Sequence, residues 1–188
     1  MAKKLAKEFY EDDLYTYILP NSSTRLKALE IFFYNYINMY PIGTLVFPKQ
    51  NSDAIGYIFY ANHRVSKGKQ IKKLIKHSIK MTEMMKYIST KEFVSFCIAI
   101  NSNSSSWISE FIEDDFIHID LIVVDKNNRN KGLATQIIKD VIKEADYKNL
   151  KVTLETQNII NVEIYKKFGF EVVKEQKYKE LTQFCMIR

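Results

Sequence analysis

The segment Val124-Asp125-Lys126-Asn127-Asn128-Arg129-Asn130-Lys131-Gly132-Leu133-Ala134-Thr135 carries a pattern suited to binding phosphate. An apolar, strand-like run enters a polar turn, and the turn opens an amphipathic helix. A helix N-terminus presents unpaired N–H groups and about half a positive charge, an arrangement that holds anions. Small residues at Gly132 and Ala134 would let a pyrophosphate reach the backbone without striking a Cβ. Arg129 and Lys131 would add charge-assisted hydrogen bonds. There is no GxxxxGK[ST], which excludes a P-loop, and no GxGxxG after the strand, which argues against a Rossmann dinucleotide site. Taken alone, the RxxGxA pattern fits equally well a glycine that merely permits close packing of helix on sheet.

A second segment follows about 20 residues on, running Leu154-Glu155-Thr156-Gln157-Asn158-Ile159-Ile160-Asn161-Val162-Glu163-Ile164-Tyr165-Lys166-Lys167-Phe168-Gly169-Phe170-Glu171. Together the two segments resemble the GNAT superfamily of acetyl-CoA-dependent N-acetyltransferases. The first is similar to its V-x-P-x-x-[QR]-x-x-G-x-[GA] signature, and the second to N-x-x-A-x-x-[LI]-Y-x-K-x-G-F-[EK]. The likeness spans residues 117–173. Lys126 stands where the family commonly has proline, Ala134 where it has glycine and Asn161 where it has alanine; none of these removes a group the chemistry needs.

The resemblance implies an α/β fold: a GNAT-type mixed central sheet of about six to seven strands, splayed at the parallel pair 117–124 and 151–155, with helices on both faces. It implies that the pantetheine arm of acetyl-CoA lies in that splay, hydrogen-bonded by the backbone of Ile122, Val123 and Val124. An N–H near Val124 would polarise the acetyl carbonyl. Arg129 and the amides of Asn130, Lys131, Gly132, Leu133, Ala134 and Thr135 would hold the pyrophosphate, and Asn158 would bond the pantetheine. Tyr165 matches the family tyrosine whose hydroxyl sits near the thioester sulfur, where it acts as general acid. The acceptor amine must lose a proton before it attacks. Glu155, at the end of its strand, is the first candidate for the base, with Asp120 and His118 as alternatives on one face of the preceding strand. No covalent enzyme intermediate and no metal are expected. Cys97 and Cys185 lie in apolar, strand-like contexts that predict buried, inert thiols.

A looser resemblance extends upstream. Phe9-Tyr10-Glu11-Asp12-Asp13, Tyr17-Ile18-Leu19-Pro20-Asn21, Arg25, Leu29 and Phe32-Phe33, with Leu154-Glu155-Thr156 ahead of Tyr165, are similar to the puromycin N-acetyltransferase-like subgroup. Acceptor recognition is then expected from residues 9–45 and 101–116. Those segments hold two acidic clusters, Glu11-Asp12-Asp13 and Glu110 with Glu113-Asp114-Asp115, either of which could steer a cationic amine.

The elements that must position these groups can be read from periodicity. Asn21-Ser22-Ser23 caps a helix over 23–40, with Leu26, Leu29, Phe32, Phe33 and Tyr36 at helical spacing. Pro41-Ile42-Gly43 ends it. Strands at 44–47 and 54–60, joined by the polar turn 49–53, predict a hairpin. A lysine-rich helix follows over 71–88, then a small-polar loop at 101–106 and a strand at 116–124. The helix opened by Gly132 has the apolar stripe Leu133, Ile137, Ile138, Val141 and Ile142. A strand at 151–155, a helix at 158–167 stopped by Gly169, and strands at 170–173 and 184–187 complete an α/β pattern with a parallel pair.

The 188 residues suit a single domain. Hydrophobic residues make up 46% and charged residues 27%, which excludes wholesale disorder. Two cysteines without CxxC spacing argue against a zinc site or a disulfide framework. No apolar h-region follows Met1-Ala2-Lys3-Lys4 and no apolar run is long enough to span a bilayer, so a cytoplasmic protein without membrane partners is expected, as monomer or homodimer. The net charge of +6 leaves room for nucleic-acid binding, but the lysines are spread over several helices, so no nucleic-acid partner is expected. The function expected is transfer of an acetyl group from acetyl-CoA to a primary amine of a small molecule or peptide, by direct attack in a ternary complex. The alternatives are a non-catalytic acyl-CoA sensor and a transferase using a different acyl-CoA.

Overall fold

A computed structural model describes residues 1–39, 43–46, 54–61 and 67–188. The polar turn expected over 49–53, and residues 41–42 of the expected helix stop, lie outside them. The chain divides into two compact units, one made of Met1–Ile42 with Arg64–Asn101 and the other of Gly43–His63 with Ser102–Arg188.

The first unit is helical: α1 (Ala2–Glu8), α2 (Asp13–Ile18), α3 (Ser22–Met39), α4 (Lys67–Met81) and α5 (Thr90–Ser102). As its sequence predicts, α3 is capped by Asn21, whose Oδ1 accepts from the Ser23 amide at 3.1 Å. Its apolar stripe buries Ala28, Leu29, Phe32 and Phe33. Phe33 meets Phe9 with ring centroids 5.4 Å apart, and Phe32 meets Phe96 of α5 edge-on at 5.0 Å. On α4, His77 Nδ1 lies 3.0 Å from Asn35 Oδ1 of α3.

Arg25, 6% exposed, joins the segment before α3 to the helix itself. Its Nε donates to the Leu19 carbonyl at 2.6 Å, and its terminal nitrogens donate to the carbonyls of Tyr10 (3.1 Å) and Pro20 (3.0 Å). The guanidinium also sits 5.0 Å from the centre of the Tyr10 ring. Arg25→Ala would leave three carbonyls without their donor, and is expected to destabilise the protein by about 2–4 kcal/mol. Arg25→Lys should recover only part of this, because one ammonium cannot span the same fork of acceptors. Urea midpoints of the two variants check both statements.

The helix α5 corrects the expectation for Cys97. Phe93 to Ile100 is rich in aromatic and β-branched residues, which favours a strand by composition. A capping box decides otherwise: the Ser89 amide and hydroxyl both donate to Glu92 Oε2 at 2.8 and 2.7 Å, and Ser89 Oγ accepts from the Glu92 amide at 3.2 Å. Cys97 is therefore helical and exposed, not a buried strand thiol.

The second unit is built on one six-stranded mixed sheet in the order β1-β2-β3-β4-β6-β5. The strands are β1 (Gly43–Val46), β2 (Ala54–Ala61), β3 (Phe116–Val124), β4 (Lys151–Thr156), β5 (Glu171–Tyr178) and β6 (Leu181–Ile187). Among the described residues only β3 and β4 run parallel, as the alternation of strand and helix predicts. The hairpin β5–β6 is longer than the sequence suggests and turns through Lys179, whose φ is 54°. Helix α6 (Leu133–Lys148) packs Ile137, Ile138, Val141 and Ala145 onto Ile117, Ile119, Val152 and Leu154 of the central strands. It ends at Asn149, a left-handed residue, with the Leu150 amide bonded back to the Ala145 carbonyl at 2.9 Å. Helix α7 (Ile159–Lys166) adds Val162 to the same core and stops at Gly169, whose φ of 85° matches the expected glycine stop. A 3-10 segment, Ser105–Glu110, buries Trp107 and Ile108 in a second core with Cys185.

Two features of β3 shape what lies between it and β4. The parallel register pairs Phe116 to Ile119 with Lys151 to Leu154 and then ends, although both strands continue. Beside this point, Tyr57 of β2 pairs with Leu121 and Ile58 with Ile119, so Asp120 is a bulged residue. The bulge shifts the alternation by one. Ile122 and Val124 therefore pack on the same core as Ile117 and Ile119, which simple alternation would put on the opposite face.

Candidate active site

A buried polar cluster occupies the place where β3 and β4 part. His118 and Thr153 are register partners on the last joined stretch of the two strands. The imidazole Nδ1 of His118 lies 2.8 Å from Thr153 Oγ1, and its Nε2 lies 3.2 Å from Glu155 Oε2. Asp120 Oδ1 stands 3.9 Å from the same Nε2, and Ser105 Oγ stands 3.4 Å away. The indole N–H of Trp107 donates to Glu155 Oε1. The Phe59 ring of β2 stacks on the imidazole with centroids 6.2 Å apart. The structure thus brings together Glu155, His118 and Asp120, the three residues read as candidate bases.

Their environment sets their charge. Burial alone would pull the His118 pKa down. The neighbouring Glu155 charge and its hydrogen bond, with Asp120 and Thr153, outweigh this and hold it above the usual 6.5. Burial alone would push Glu155 up, but His118 and the hydrogen bonds from His118, Trp107 and Ser105 hold it below 4.5. Both shifts favour the imidazolium–carboxylate form of the pair.

Trp107, Thr153 and Ser105 are the members that sequence reasoning does not single out. Trp107 is the one tryptophan of the chain, set in the 101–116 segment, and that singularity is the only signal it carries.

At the other end of the splay, β3 runs into the turn before α6. Arg129 Nε donates to the Val124 carbonyl at 3.3 Å, and Lys131 Nζ donates to Asn128 Oδ1 at 2.6 Å. Asn130 and Gly132 are both left-handed, with φ of 62° and 77°. A Cβ placed on Gly132 would have nothing within 4 Å. The glycine is therefore not required for close packing of helix on sheet; it meets a backbone conformation that L side chains rarely adopt, beside open space. Leu133, Ala134 and Thr135 form the first turn of α6.

On α7, Asn158 acts as N-cap, its Oδ1 accepting from the Ile160 amide at 2.8 Å. Tyr165 packs edge-on against Phe170 at 5.8 Å, on the α6 side of the sheet. Burial pushes its phenol up to about 12, and among the described residues its hydroxyl has no hydrogen-bond partner. Cys185 is buried on β6, and burial, with the Glu155 charge, pushes its thiol up to about 12, so it is inert as expected.

One residue of each acidic cluster has structural work. Asp12 caps α2 by accepting from the Leu14 amide at 3.0 Å, and Glu110 is paired with Lys174 at 2.7 Å. Among the described residues no helix is long and apolar enough to cross a membrane, and no group of His, Cys, Asp and Glu is placed to hold a metal ion.

Residues 62–186 match the acetyltransferase (GNAT) domain family. No curated protein matches the chain by sequence. Among solved structures, the chain is similar to the histone acetyltransferase HPA2 and related acetyltransferase from Corynebacterium glutamicum, with a TM-score of 0.64 at 10% identity over 99% of this chain and 87% of that one. It is also similar to an N-acetyltransferase from Staphylococcus aureus Mu50 (TM-score 0.56, 14% identity, 98% and 93%) and to arylalkylamine N-acetyltransferase 2 from Aedes aegypti (TM-score 0.55, 12% identity, 100% and 91%). At these identities the likeness is one of fold.

Proposed function

The chain belongs to the GNAT acetyltransferase family, and from that premise we propose that it transfers the acetyl group of acetyl-CoA to a primary amine of a small molecule or peptide, by direct attack in a ternary complex. The observation that carries this reading is the largely buried Glu155 carboxylate, paired with His118, standing where the β3–β4 pairing ends. A thioester tail lying in that gap would have Glu155 on one side and Tyr165 on the other.

The residues around the gap suit such a co-substrate. The backbone of Ile122, Val123 and Val124 continues beyond its pairing with β4, and offers its polar groups to an extended pantetheine arm. The first-turn amides of α6, with Arg129 and Lys131 beside them, suit a pyrophosphate. Asn158 stands at the start of α7 next to the same gap. Acetyl-CoA supplies the activated acyl group and a thiolate leaving group; the protein aligns the amine, removes its proton and stabilises the departing sulfur. Acceptor recognition is assigned to the 101–116 segment, from which Ser105 and Trp107 reach the His118–Glu155 pair.

The test is thiol release from acetyl-CoA over a panel of arylalkylamines, polyamines and peptide amines. Amine-dependent release is the expected result. Binding of acetyl-CoA without release for any amine would make the chain an acyl-CoA-binding module instead.

The pyrophosphate placement makes its own prediction. Gly132→Ala puts a methyl group into the open space beside the α6 amides and strains a left-handed residue by about 1–2 kcal/mol. The Kd for acetyl-CoA measured by calorimetry should rise by roughly 10-fold or more. An unchanged Kd would place the diphosphate elsewhere.

A further inference from the structure

His118 is held from every element around it. Thr153 and Glu155 reach it from β4, Asp120 from its own strand, Ser105 from the 3-10 segment and the Phe59 ring from β2. Among the described residues the charged groups facing it are two carboxylates, Glu155 and Asp120, with Glu155 also bonded by Trp107. The His118 side chain is 5% exposed and that of Glu155 12%, so an acceptor entering the gap meets the carboxylate first.

We propose that His118 is the positioning residue for proton removal: Glu155 takes the proton of the acceptor ammonium and hands it to Nε2 of His118, so that the imidazole and not the carboxylate holds it during attack. The proposal rests on the reading of the gap as an acetyl-transfer site. Thr153 Oγ1, 2.8 Å from Nδ1, is able to accept from an Nδ1–H, and in that tautomer Nε2 is left to receive the proton. The balance is complete without a further reactant. The ammonium gives its first proton to the pair and the neutral nitrogen forms the bond to the acetyl carbon. The C–S bond breaks, the nitrogen's second proton ends on the sulfur, and the pair releases the first to solvent.

This arrangement resolves a difficulty with Glu155 acting alone. A carboxylate held below 4.5 is a poor base toward an ammonium, whereas an imidazole held above 6.5 is a competent one. The sign of the pH dependence follows. Below the His118 pKa the pair is already imidazolium–carboxylate and cannot take a proton. Above it the pair can, so activity rises with pH through a value higher than 6.5.

The experiment is the pH profile of kcat/KM for the full-length protein beside an NMR titration of its imidazoles. The wild type should show an acid limb above pH 6.5 that coincides with the titration of His118. His118→Gln should lose that limb and about 10²-fold in kcat/KM at pH 8, with the Kd for acetyl-CoA little changed. The NMR comparison needs no variant, and a His118 midpoint at or below 6.5 would overturn the proposal. So would His118→Gln retaining the wild-type limb and rate, a result that leaves acetyl transfer itself standing. Absence of transfer by the wild type with every amine defeats the functional reading instead.

Discussion

Glu155→Gln is expected to lower kcat for acetyl transfer by about 10²- to 10⁴-fold while leaving the Kd for acetyl-CoA within roughly twofold. The substitution keeps size and shape. The amide oxygen still accepts from the Trp107 indole, and the new NH2 faces His118 Nε2, an acceptor in its neutral form. What disappears is a group able to receive the amine's proton and a negative charge beside a buried imidazole. Without that charge, burial dominates the His118 pKa, which should fall below its ordinary value. The variant then has a neutral histidine at pH 7 but no route from the acceptor to it. Removing a buried carboxylate also removes its desolvation cost, so the thermal midpoint should change little. The coenzyme cradle proposed at the start of α6 does not include Glu155, which is why affinity and rate should separate. Parallel loss of binding and rate would assign Glu155 to holding the coenzyme.

The α6–β4–α7 stretch is legible in the sequence because each boundary carries a residue with a backbone reason to be there. Gly132 and Gly169 are both left-handed, the second as its reading as a helix stop requires, and the stripe from Ile137 to Val141 faces the core. Helix α5 is hidden by the opposite circumstance. Its residues favour a strand, and only the Ser89–Glu92 pair marks it as helical. The candidate site divides in the same way. Glu155, His118 and Asp120 stand out as ionisable residues within apolar strands. Thr153, Ser105 and Trp107 become site residues only through the β3–β4 register and the packing of the 3-10 segment, neither of which has a local signature. The bulge at Asp120 is also invisible to alternation. A period of two places residues 118, 120, 122 and 124 on one face, yet His118 and Asp120 share the polar cluster while Ile122 and Val124 join the core. That change of face lets one strand present ionisable groups where it is paired and apolar packing where it leaves its neighbour.

Tyr165→Phe is expected to lower kcat by about 10²-fold, the cost of removing one donor aimed at developing negative charge. The manner of its action follows from its surroundings. With the phenol at about 12 and a thiol near its ordinary value of about 8.5, full transfer of the proton to the departing thiolate would be uphill by roughly 5 kcal/mol. The role we propose for Tyr165 is therefore that of a hydrogen-bond donor to the sulfur in the transition state and not of a residue that leaves as phenolate. No alkaline limb from its ionisation should appear in the wild-type profile below about pH 12. The ring keeps its edge contact with Phe170 in the variant, and the hydroxyl has no partner among the described residues to lose, so the melting temperature should hold. Single-turnover measurements with chemistry limiting decide the matter: a variant at the wild-type rate would reduce Tyr165 to a core residue, and the thiolate would then depart without help from α7.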